Sequence, residues 1–363
     1  MISDFKDPST VLVFCPNLVG DTVMATPAFH ALREGFAGSR IVAVVRPKVA
    51  PTLDGGPWFD DRVGFDPRSG RPEERAGAVL RRLRAERADL AVLFPNSFRS
   101  ALMAWRSGAR RRVGYARGGR GFLLTDRLVV PRDDRGQIRP SPIVDYYREI
   151  PRALGCSVDG PRIELFTTPE DEAAADRAWA RLGLPRSGPV VCLNTGGAFG
   201  PAKSWPAEHF ADLARRLVDE SGVSVLVVCG PGERDAARSI VEQAARPRVV
   251  SLADEPLGIG LTKACVRRSA LLVTTDSGPR HFATAFDVPA LTLFGPTHIA
   301  WTLTYHPKAL HLHHPVPCGP CQRPTCPERH HRCLRDMSPD AVYSAAARML
   351  RGDGAGAERI EAV

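Results

Sequence analysis

The sequence predicts an α/β protein with two domains, each built on a mainly parallel sheet. Short apolar runs of strand type alternate with segments of helical periodicity along most of the 363 residues. This alternation is typical of parallel sheets whose strands are joined by crossover helices. The length allows two ordinary domains, each with its own core. Because the alternation recurs in both halves, we expect the second domain to resemble the first.

Four strands are predicted in the first half, over residues 11–15, 41–45, 62–65 and 90–94. The turn after the first strand leads at Asp21 into a helical pattern that extends through Leu32. Pro27 is tolerated only in or near the first turn of such a helix and otherwise kinks it. A second helix is predicted over 73–87, and the polar segment 132–142 is predicted to be a loop.

The domain boundary is predicted near a polar helix over 169–182, which ends at Gly183 before the apolar runs resume. This gives a first domain over 1–168, a second over 169–351 and a flexible tail over 352–363. Strands in the second half are predicted at 189–193, 223–228, 249–252, 270–274 and 290–294. Helices are predicted to begin near Gly232, Leu257 and Pro279.

Composition and charge narrow the class of protein. With 44% hydrophobic and 25% charged residues, the chain is typical of globular proteins. No apolar run approaches the roughly 18 residues that span a membrane, and the opening MISDFKDPST lacks the features of a signal peptide. We therefore expect a cytoplasmic protein. The net charge of +9 predicts an anionic partner, either nucleic acid, a membrane surface or a phosphorylated substrate.

The stretch NTGGAFGPAKSWP, residues 194–206, has the sequence of a phosphate-binding loop. It lies between a predicted buried strand and a predicted helix. Gly196 and Gly197 allow backbone N–H groups to approach a pyrophosphate closely, and Lys203 adds a full positive charge. We therefore expect this loop to bind an anion.

Two further loops are predicted at the same edge of the second sheet, where ligands of such folds bind. Glu233 follows a strand and either accepts hydrogen bonds from a ribose or only favours the start of its helix. Asp276 or Ser277 is expected to cap a helix that Pro279 opens. With the glycine loop, this would bring two helix N-termini to one anion.

Asp21 is the corresponding residue of the first domain. An isolated aspartate in this place is most often a helix N-cap. If it instead faces a bound acceptor, its carboxylate is a candidate general base for an attacking hydroxyl.

An arginine-rich stretch lies between Leu90 and Thr125, where no acidic residue occurs. Three interpretations stay open: a solvated loop face, a site for a phosphorylated or carboxylated acceptor, and a nucleic-acid site. The third is weakened because no known nucleic-acid module surrounds the arginines and only 7% of the residues are aromatic.

Four of the nine cysteines crowd into one segment with the spacing C-x2-C-x4-C-x6-C. They are Cys318, Cys321, Cys326 and Cys333. The pattern is compatible with a structural zinc site, with a disulfide or free thiols, or with an iron–sulfur cluster.

Several of these motifs together resemble the bacterial lipopolysaccharide heptosyltransferases of glycosyltransferase family 9, especially the heptosyltransferase II branch. The similar segments are GDTVMATP (20–27), RRRVGYARGGRGFLLTDR (110–127), GAFGPAKSWP (197–206), DSGPRH (276–281) and PCQRPTCPERHHRCL (320–334). They occur in the family's order and cover nearly all of residues 10–350. The agreement of several long motifs is more specific than a single glycine loop.

The resemblance implies a GT-B fold, in which two Rossmann-like domains face each other across a cleft. It implies a single inverting displacement that transfers heptose from ADP-L-glycero-D-manno-heptose to a heptosyl-Kdo–lipid A acceptor. Asp21 would be the base and Lys203 would stabilise the departing diphosphate, with no cofactor required for catalysis. The donor-binding residues would be Thr195, Gly196, Gly197, Glu233, Asp276, Ser277, Gly278 and His281. Arg112, Arg117 and Arg120 would pair with phosphates and carboxylates of the acceptor.

The resemblance also implies a cytoplasmic enzyme with peripheral contact to the inner membrane and no nucleic-acid partner. Another donor or acceptor within the same family remains an alternative. A nucleotide-sugar epimerase can use the same architecture, but the arginines between Arg99 and Arg120 argue against it. A basic binding module would leave Asp21, Lys203 and the loop at Asp276 unexplained.

Overall fold

The computed structural model describes residues 8–197, 199–353 and 356–363. The chain divides into two compact units, Met1–Phe166 and Thr167–Val363. Each unit contains one sheet, and every strand pairing within the two sheets is parallel. The prediction of an α/β protein with parallel sheets is therefore confirmed.

Unit 1 has a six-stranded sheet with the order β3-β2-β1-β4-β5-β6. Its strands are β1 Thr10–Phe14, β2 Arg40–Val45, β3 Asp61–Gly64, β4 Leu90–Leu93, β5 Arg111–Tyr115 and β6 Asp126–Leu128. Its α-helices are α1 Val19–Met24, α2 Thr26–Gly35, α3 Ala76–Ala85, α4 Phe98–Arg106 and α5 Ile143–Ala153. The single helix predicted from Asp21 to Leu32 is in fact two helices, and Pro27 lies in the first turn of α2, where its missing N–H costs nothing.

Unit 2 has a seven-stranded sheet with the order β13-β12-β11-β10-β7-β8-β9. Its strands are β7 Val190–Asn194, β8 Ser224–Val228, β9 Val249–Ser251, β10 Leu271–Thr275, β11 Ala290–Phe294, β12 Ala309–His313 and β13 Arg359–Ala362. Its α-helices are α6 Pro169–Arg181, α7 Ala207–Ser221, α8 Arg234–Ala244, α9 Ile259–Arg267, α10 Arg280–Ala285, α11 Arg332–Arg335 and α12 Pro339–Leu350.

The central strands are buried on both faces, as their sequences require. Every residue of β4, β7, β8, β10 and β11 is buried. Helices pack on the sheets, so these strands consist almost entirely of apolar residues. This is why the predicted strands agree with the observed ones to within about two residues.

Four strands were not predicted. The arginine-rich stretch is not a single loop, because it contains α4 and β5, and β6 follows closely. In β5 two half-buried arginines precede three buried residues, and Arg111 is paired with Asp126 of β6 at 2.8 Å. The strand β12 was also not predicted.

The predicted flexible tail over 352–363 is wrong for its last residues. They form β13, which pairs in parallel with β12 from Leu310↔Arg359 to His313↔Ala362. The four residues RIEA alternate between half-buried and exposed, and such a short edge strand gives little periodic signal.

No helix among the described residues is long and apolar enough to cross a membrane.

Candidate active site

Three loops of unit 2 meet at one edge of its sheet. The strands β7, β10 and β11 are neighbours and run in parallel, so the loops that follow them emerge side by side. These loops contribute Lys203, Asp276 and Thr297. Lys203 and Asp276 belong to separate sequence motifs, and the structure brings them into direct contact.

The Lys203–Asp276 ion pair is the centre of this cluster. Lys203 Nζ lies 2.5 Å from Asp276 Oδ2 and also donates to the Asp276 carbonyl oxygen at 3.0 Å. Only 12% of the lysine side chain and 5% of the aspartate side chain are exposed. Burial alone would raise the pKa of Asp276, but the charges of Lys203 and Arg280 outweigh it and hold the pKa below its usual value. The Asp276 carboxylate is therefore ionised, and its hydrogen bond positions the lysine.

Asn194 ties the glycine loop to the loop after β10. Its buried Nδ2 group donates to Ser277 Oγ at 2.8 Å, to Thr274 Oγ1 at 3.0 Å and to the Gly196 carbonyl oxygen at 3.1 Å. No local sequence pattern indicates this role, because it depends on contacts between residues about 80 positions apart.

Glu233 and Gly196 meet directly. A Cβ atom at residue 196 would lie 1.7 Å from Glu233 Oε1, so only glycine admits the carboxylate here. Glu233 Oε2 accepts a hydrogen bond from the Gly230 N–H at 2.7 Å, and the residue is the N-cap of α8. The structure therefore gives Glu233 a capping function and also places its carboxylate on the glycine loop.

A cavity of about 730 Å³ opens beside these residues. Thr195, Gly196, Gly197 and Glu233 line one side of it. Another side is formed by basic residues in and just after the cysteine-rich segment: Arg329, His330, His331 and Arg335. None of these four was predicted to be a site residue. This segment packs on the glycine loop, since the Ala202 N–H donates to the Pro324 carbonyl oxygen at 3.0 Å.

The prediction that Asp276 or Ser277 caps the helix after β10 is wrong. The N-cap of α10 is Pro279, without a side-chain cap, because Asp276 binds Lys203 and Ser277 binds Asn194. The α-helix α7 begins at Ala207, directly after the segment 194–206, as predicted, and a short 3₁₀ turn, Pro201–Lys203, lies between the glycines and the helix. The anion would therefore meet loop N–H groups and Lys203 rather than two helix ends.

His281 is buried in the first turn of α10. Burial and the nearby charge of Arg280 lower its pKa to about 3, so the imidazole is neutral at physiological pH. Gly278 accepts a hydrogen bond from the His281 N–H at 3.1 Å, which closes the turn after Ser277. With 2% of its surface exposed, His281 supports the loop and is not open to a ligand.

Asp21 lies at the corresponding edge of unit 1, directly after β1. It is in the first turn of α1, whose N-cap is Leu18, so the predicted N-cap role is wrong. The side chain is half-buried. Burial raises the pKa of Tyr147, and the charge of Asp21 raises it further, which places the carboxylate near that ring.

Two of the three predicted acceptor arginines are engaged inside unit 1. Arg120 has no exposed surface, and its guanidinium donates to the carbonyl oxygens of Pro95 and Tyr115. Arg112 donates to the carbonyl oxygens of Leu123 and Ala109. Buried backbone oxygens need such donors, so both arginines are structural and the prediction is wrong for them.

Arg117 is the remaining candidate. It is half-buried at the carboxyl end of β5. Burial raises the pKa of Tyr146, and a hydrogen bond with Arg117 opposes that shift. Arg117 is therefore beside the Tyr146 hydroxyl, at the same edge of the sheet as Asp21.

The four clustered cysteines are free thiols, as are the other five. Cys318 Sγ lies 3.8 Å from His330 Nε2. Burial, and then the neighbouring thiols of Cys326, Cys318 and Cys321, raise the pKa of Cys333 to about 11. Within the described part of the chain, no three or more His, Cys, Asp or Glu side chains are arranged to hold a metal ion. The structure therefore gives no support for the predicted zinc site.

Comparisons with known proteins agree with this architecture. The family described as glycosyltransferase family 9 (heptosyltransferase) matches residues 76–331. The chain is 26% identical to lipopolysaccharide heptosyltransferase 2 of Salmonella typhimurium, over 95% of this chain and 99% of the relative. A solved family 9 glycosyl transferase of Veillonella parvula superposes with a TM-score of 0.82 at 23% identity, over 96% of this chain and 99% of that one. ADP-heptose LPS heptosyltransferase II of E. coli gives a TM-score of 0.75 at 24% identity, over 95% and 99%.

Two parallel α/β units, the second with a buried lysine–carboxylate pair beside a glycine loop, define a glycosyltransferase of the GT-B class. The chain belongs to glycosyltransferase family 9. The resemblance found in the sequence motifs is confirmed.

The cysteine cluster makes a prediction about metal content and thiol reactivity. Protein purified without chelator should contain less than about half an equivalent of zinc. A thiol reagent should reach at most the four clustered cysteines in the native protein and all nine after unfolding, because the other five are buried. Cys333 should react slowest of the four, since the thiolate is the reactive form. One equivalent of zinc, together with protection of all four thiols, would contradict the free-thiol arrangement.

Proposed function

We propose that this enzyme transfers L-glycero-D-manno-heptose from ADP-heptose to a heptosyl-Kdo–lipid A acceptor, with inversion at the anomeric carbon. The observation that carries the proposal is the Lys203–Asp276 pair beside the glycine loop, in a chain similar over nearly its whole length to a lipopolysaccharide heptosyltransferase 2. A fixed cation beside flexible backbone N–H groups is suited to a diphosphate that gains charge as it leaves.

The donor is proposed to bind in unit 2. Thr195, Gly196, Gly197, Ser277 and Gly278 supply backbone and hydroxyl donors to the diphosphate and sugar. Glu233 accepts hydrogen bonds from the ribose, because its carboxylate lies on the glycine loop at the edge of the cavity. The buried His281 supports the loop that contains Ser277 and Gly278.

The roles of Lys203 and Asp276 follow from their geometry. Lys203 pairs with the departing diphosphate and offsets its charge, so the reaction requires no metal ion at the leaving group. Both oxygens of Asp276 face protein donors: Oδ2 accepts from Lys203 and Thr297, and Oδ1 faces Arg280. Asp276 therefore orients Lys203 rather than gripping sugar hydroxyls.

The acceptor is proposed to bind at the carboxyl edge of unit 1. Asp21 takes the proton of the attacking hydroxyl as that oxygen bonds to the anomeric carbon and the bond to the diphosphate breaks. Arg117 is the arginine we assign to an acceptor phosphate or carboxylate.

The same edge of unit 1 is suited to an anionic lipid surface. Exposed apolar residues follow four adjacent strands there, in the sheet order β1, β4, β5, β6: Leu18, Phe98, Phe122 and Val129. Their exposed fractions are 49%, 46%, 69% and 80%. Arg99 is also exposed, next to Phe98 at the start of α4. Aromatic residues with arginines are typical of surfaces that bind membrane interfaces. We propose peripheral contact with the inner membrane through this edge.

Incubation of the enzyme with ADP-heptose and heptosyl-Kdo–lipid A should yield a product heavier by one heptose, detected by mass spectrometry. Addition of a chelator should leave the rate unchanged, because Lys203 supplies the charge for the leaving group. Transfer only with another donor or acceptor would contradict the proposed substrates and indicate a different activity within the family.

Loss of either proposed catalytic group should reduce turnover more than donor binding. We expect Asp21→Asn to lower kcat by about 100-fold or more while ADP affinity stays nearly unchanged. Lys203→Ala should reduce kcat by at least about 100-fold, with a smaller effect on affinity. The matched controls are Asp134→Asn, in an exposed loop, and Lys308→Ala, whose 2.5 Å pair with Asp287 is exposed. Wild-type turnover in the Asp21 variant would remove it from the mechanism.

Membrane contact predicts binding to vesicles without acceptor. The protein should sediment with vesicles containing phosphatidylglycerol and much less with phosphatidylcholine vesicles. Phe98→Ser/Phe122→Ser should weaken partition by about 10-fold, and Arg99→Gln by about 5-fold. Ile360→Ser and Arg177→Gln, which change exposed residues of unit 2, are the controls. Equal binding by test and control variants would exclude this edge as the contact.

A further inference from the structure

Glu358 is a buried carboxylate in the segment that the sequence predicts to be flexible. Its side chain is 7% exposed and accepts hydrogen bonds from the backbone N–H groups of Tyr305 at 2.6 Å and Thr304 at 2.9 Å. His311 Nε2 lies 2.8 Å from Oε1. Burial alone would raise the pKa of Glu358, but the hydrogen bond with His311 and the charge of Arg280 hold it below its usual value. The residue is therefore a buried anion.

Arg280 is a buried cation between two carboxylates. Its Nη2 atom is 3.3 Å from Glu358 Oε1, and its Nη1 atom is 3.8 Å from Asp276 Oδ1. Its side chain is 1% exposed and lies over the ring of Phe294. Among the residues that the structure describes, Nη1 has no hydrogen-bond partner. Arg280 therefore forms a hydrogen bond with Glu358, whereas its contact with Asp276 is an ion pair without a hydrogen bond.

The same Asp276 carboxylate positions the Lys203 side chain. Its Oδ2 atom accepts from Lys203 at 2.5 Å and from Thr297 at 2.7 Å, while Oδ1 faces Arg280. Four charged groups therefore form a buried row in the order Lys203, Asp276, Arg280, Glu358, with alternating signs. A buried cation that loses one carboxylate moves toward the other, because an unpaired charge in the interior is costly.

We propose that Glu358 is a positioning residue for Lys203. By holding Arg280, it prevents the guanidinium from drawing Asp276 away from the lysine. Glu358 touches no substrate, and its effect passes through Arg280 and Asp276. The inference rests on the proposed function, in which Lys203 meets the departing diphosphate.

The test is the neutral variant Glu358→Gln, which keeps nearly the same shape. We expect kcat to fall by at least about 10-fold, with less than about 3-fold change in KM for the donor. The matched control is Glu361→Gln, in the strand β13 that begins directly after Glu358, because Glu361 also pairs with an arginine, Arg348 at 2.6 Å, but both side chains are substantially exposed. This variant should keep wild-type turnover.

A second variant separates positioning from a merely structural role. Removing the displaced cation as well, in Arg280→Met/Glu358→Gln, should restore kcat to within about 3-fold of wild type, because nothing then competes with Lys203 for Asp276. If Glu358 only stabilises the fold, the double variant will be no more active than Glu358→Gln, and the proposal is overturned. Should Glu358→Gln fail to fold, the double variant decides alone: turnover near wild type supports the proposal, and a loss beyond about 10-fold overturns it.

Failure of the proposed function would be visible separately, as absence of heptose transfer by the wild-type enzyme. ADP affinity, measured by calorimetry, then replaces turnover as the readout. ADP carries the charge that the diphosphate gains as it leaves, so displacement of Lys203 should weaken binding of ADP more than binding of the intact donor, by about 5-fold in Glu358→Gln, and leave it unchanged in Glu361→Gln. Equal affinities in the two variants would overturn the role of Glu358.

Discussion

The ion pair between Lys203 and Asp276 is the interaction on which the donor side of the enzyme depends. Two opposite charges this deeply buried are stable only together, because each alone would carry a large desolvation cost. The pair therefore fixes the distance between the loops after β7 and β10. Thr297 adds the loop after β11. Through Lys203 and Thr297, the Asp276 carboxylate thus connects three loops at the edge of the sheet.

The sequence predicts the elements that are buried on both faces and misses those that are not. Strands such as β7 and β10 are short apolar runs, so burial alone marks them. By contrast, β5 carries paired arginines and β13 has only four residues, so neither stands out from a loop. Their formation depends on partners distant in sequence, such as Asp126 for Arg111.

The candidate site shows the same division. Lys203, Asp276 and Asp21 are found from local motifs, because each follows a strand and lies in a recognisable loop. Asn194 and Glu358 are not, since their roles depend on residues far away in the chain. The wrong assignment of Arg112 and Arg120 has a related cause: charge in a sequence does not reveal whether a guanidinium faces a ligand or a buried carbonyl oxygen.

The place of Glu358 in the chain has a consequence for biosynthesis. Lys203, Asp276 and Arg280 leave the ribosome before Glu358, so for a time the nascent chain has the Arg280 guanidinium without its second carboxylate. Unit 2 cannot complete its charged row until β13 has been synthesised and has joined the edge of the sheet. The buried charges beside the donor loops are therefore complete only when a residue 78 positions after Arg280 has been added.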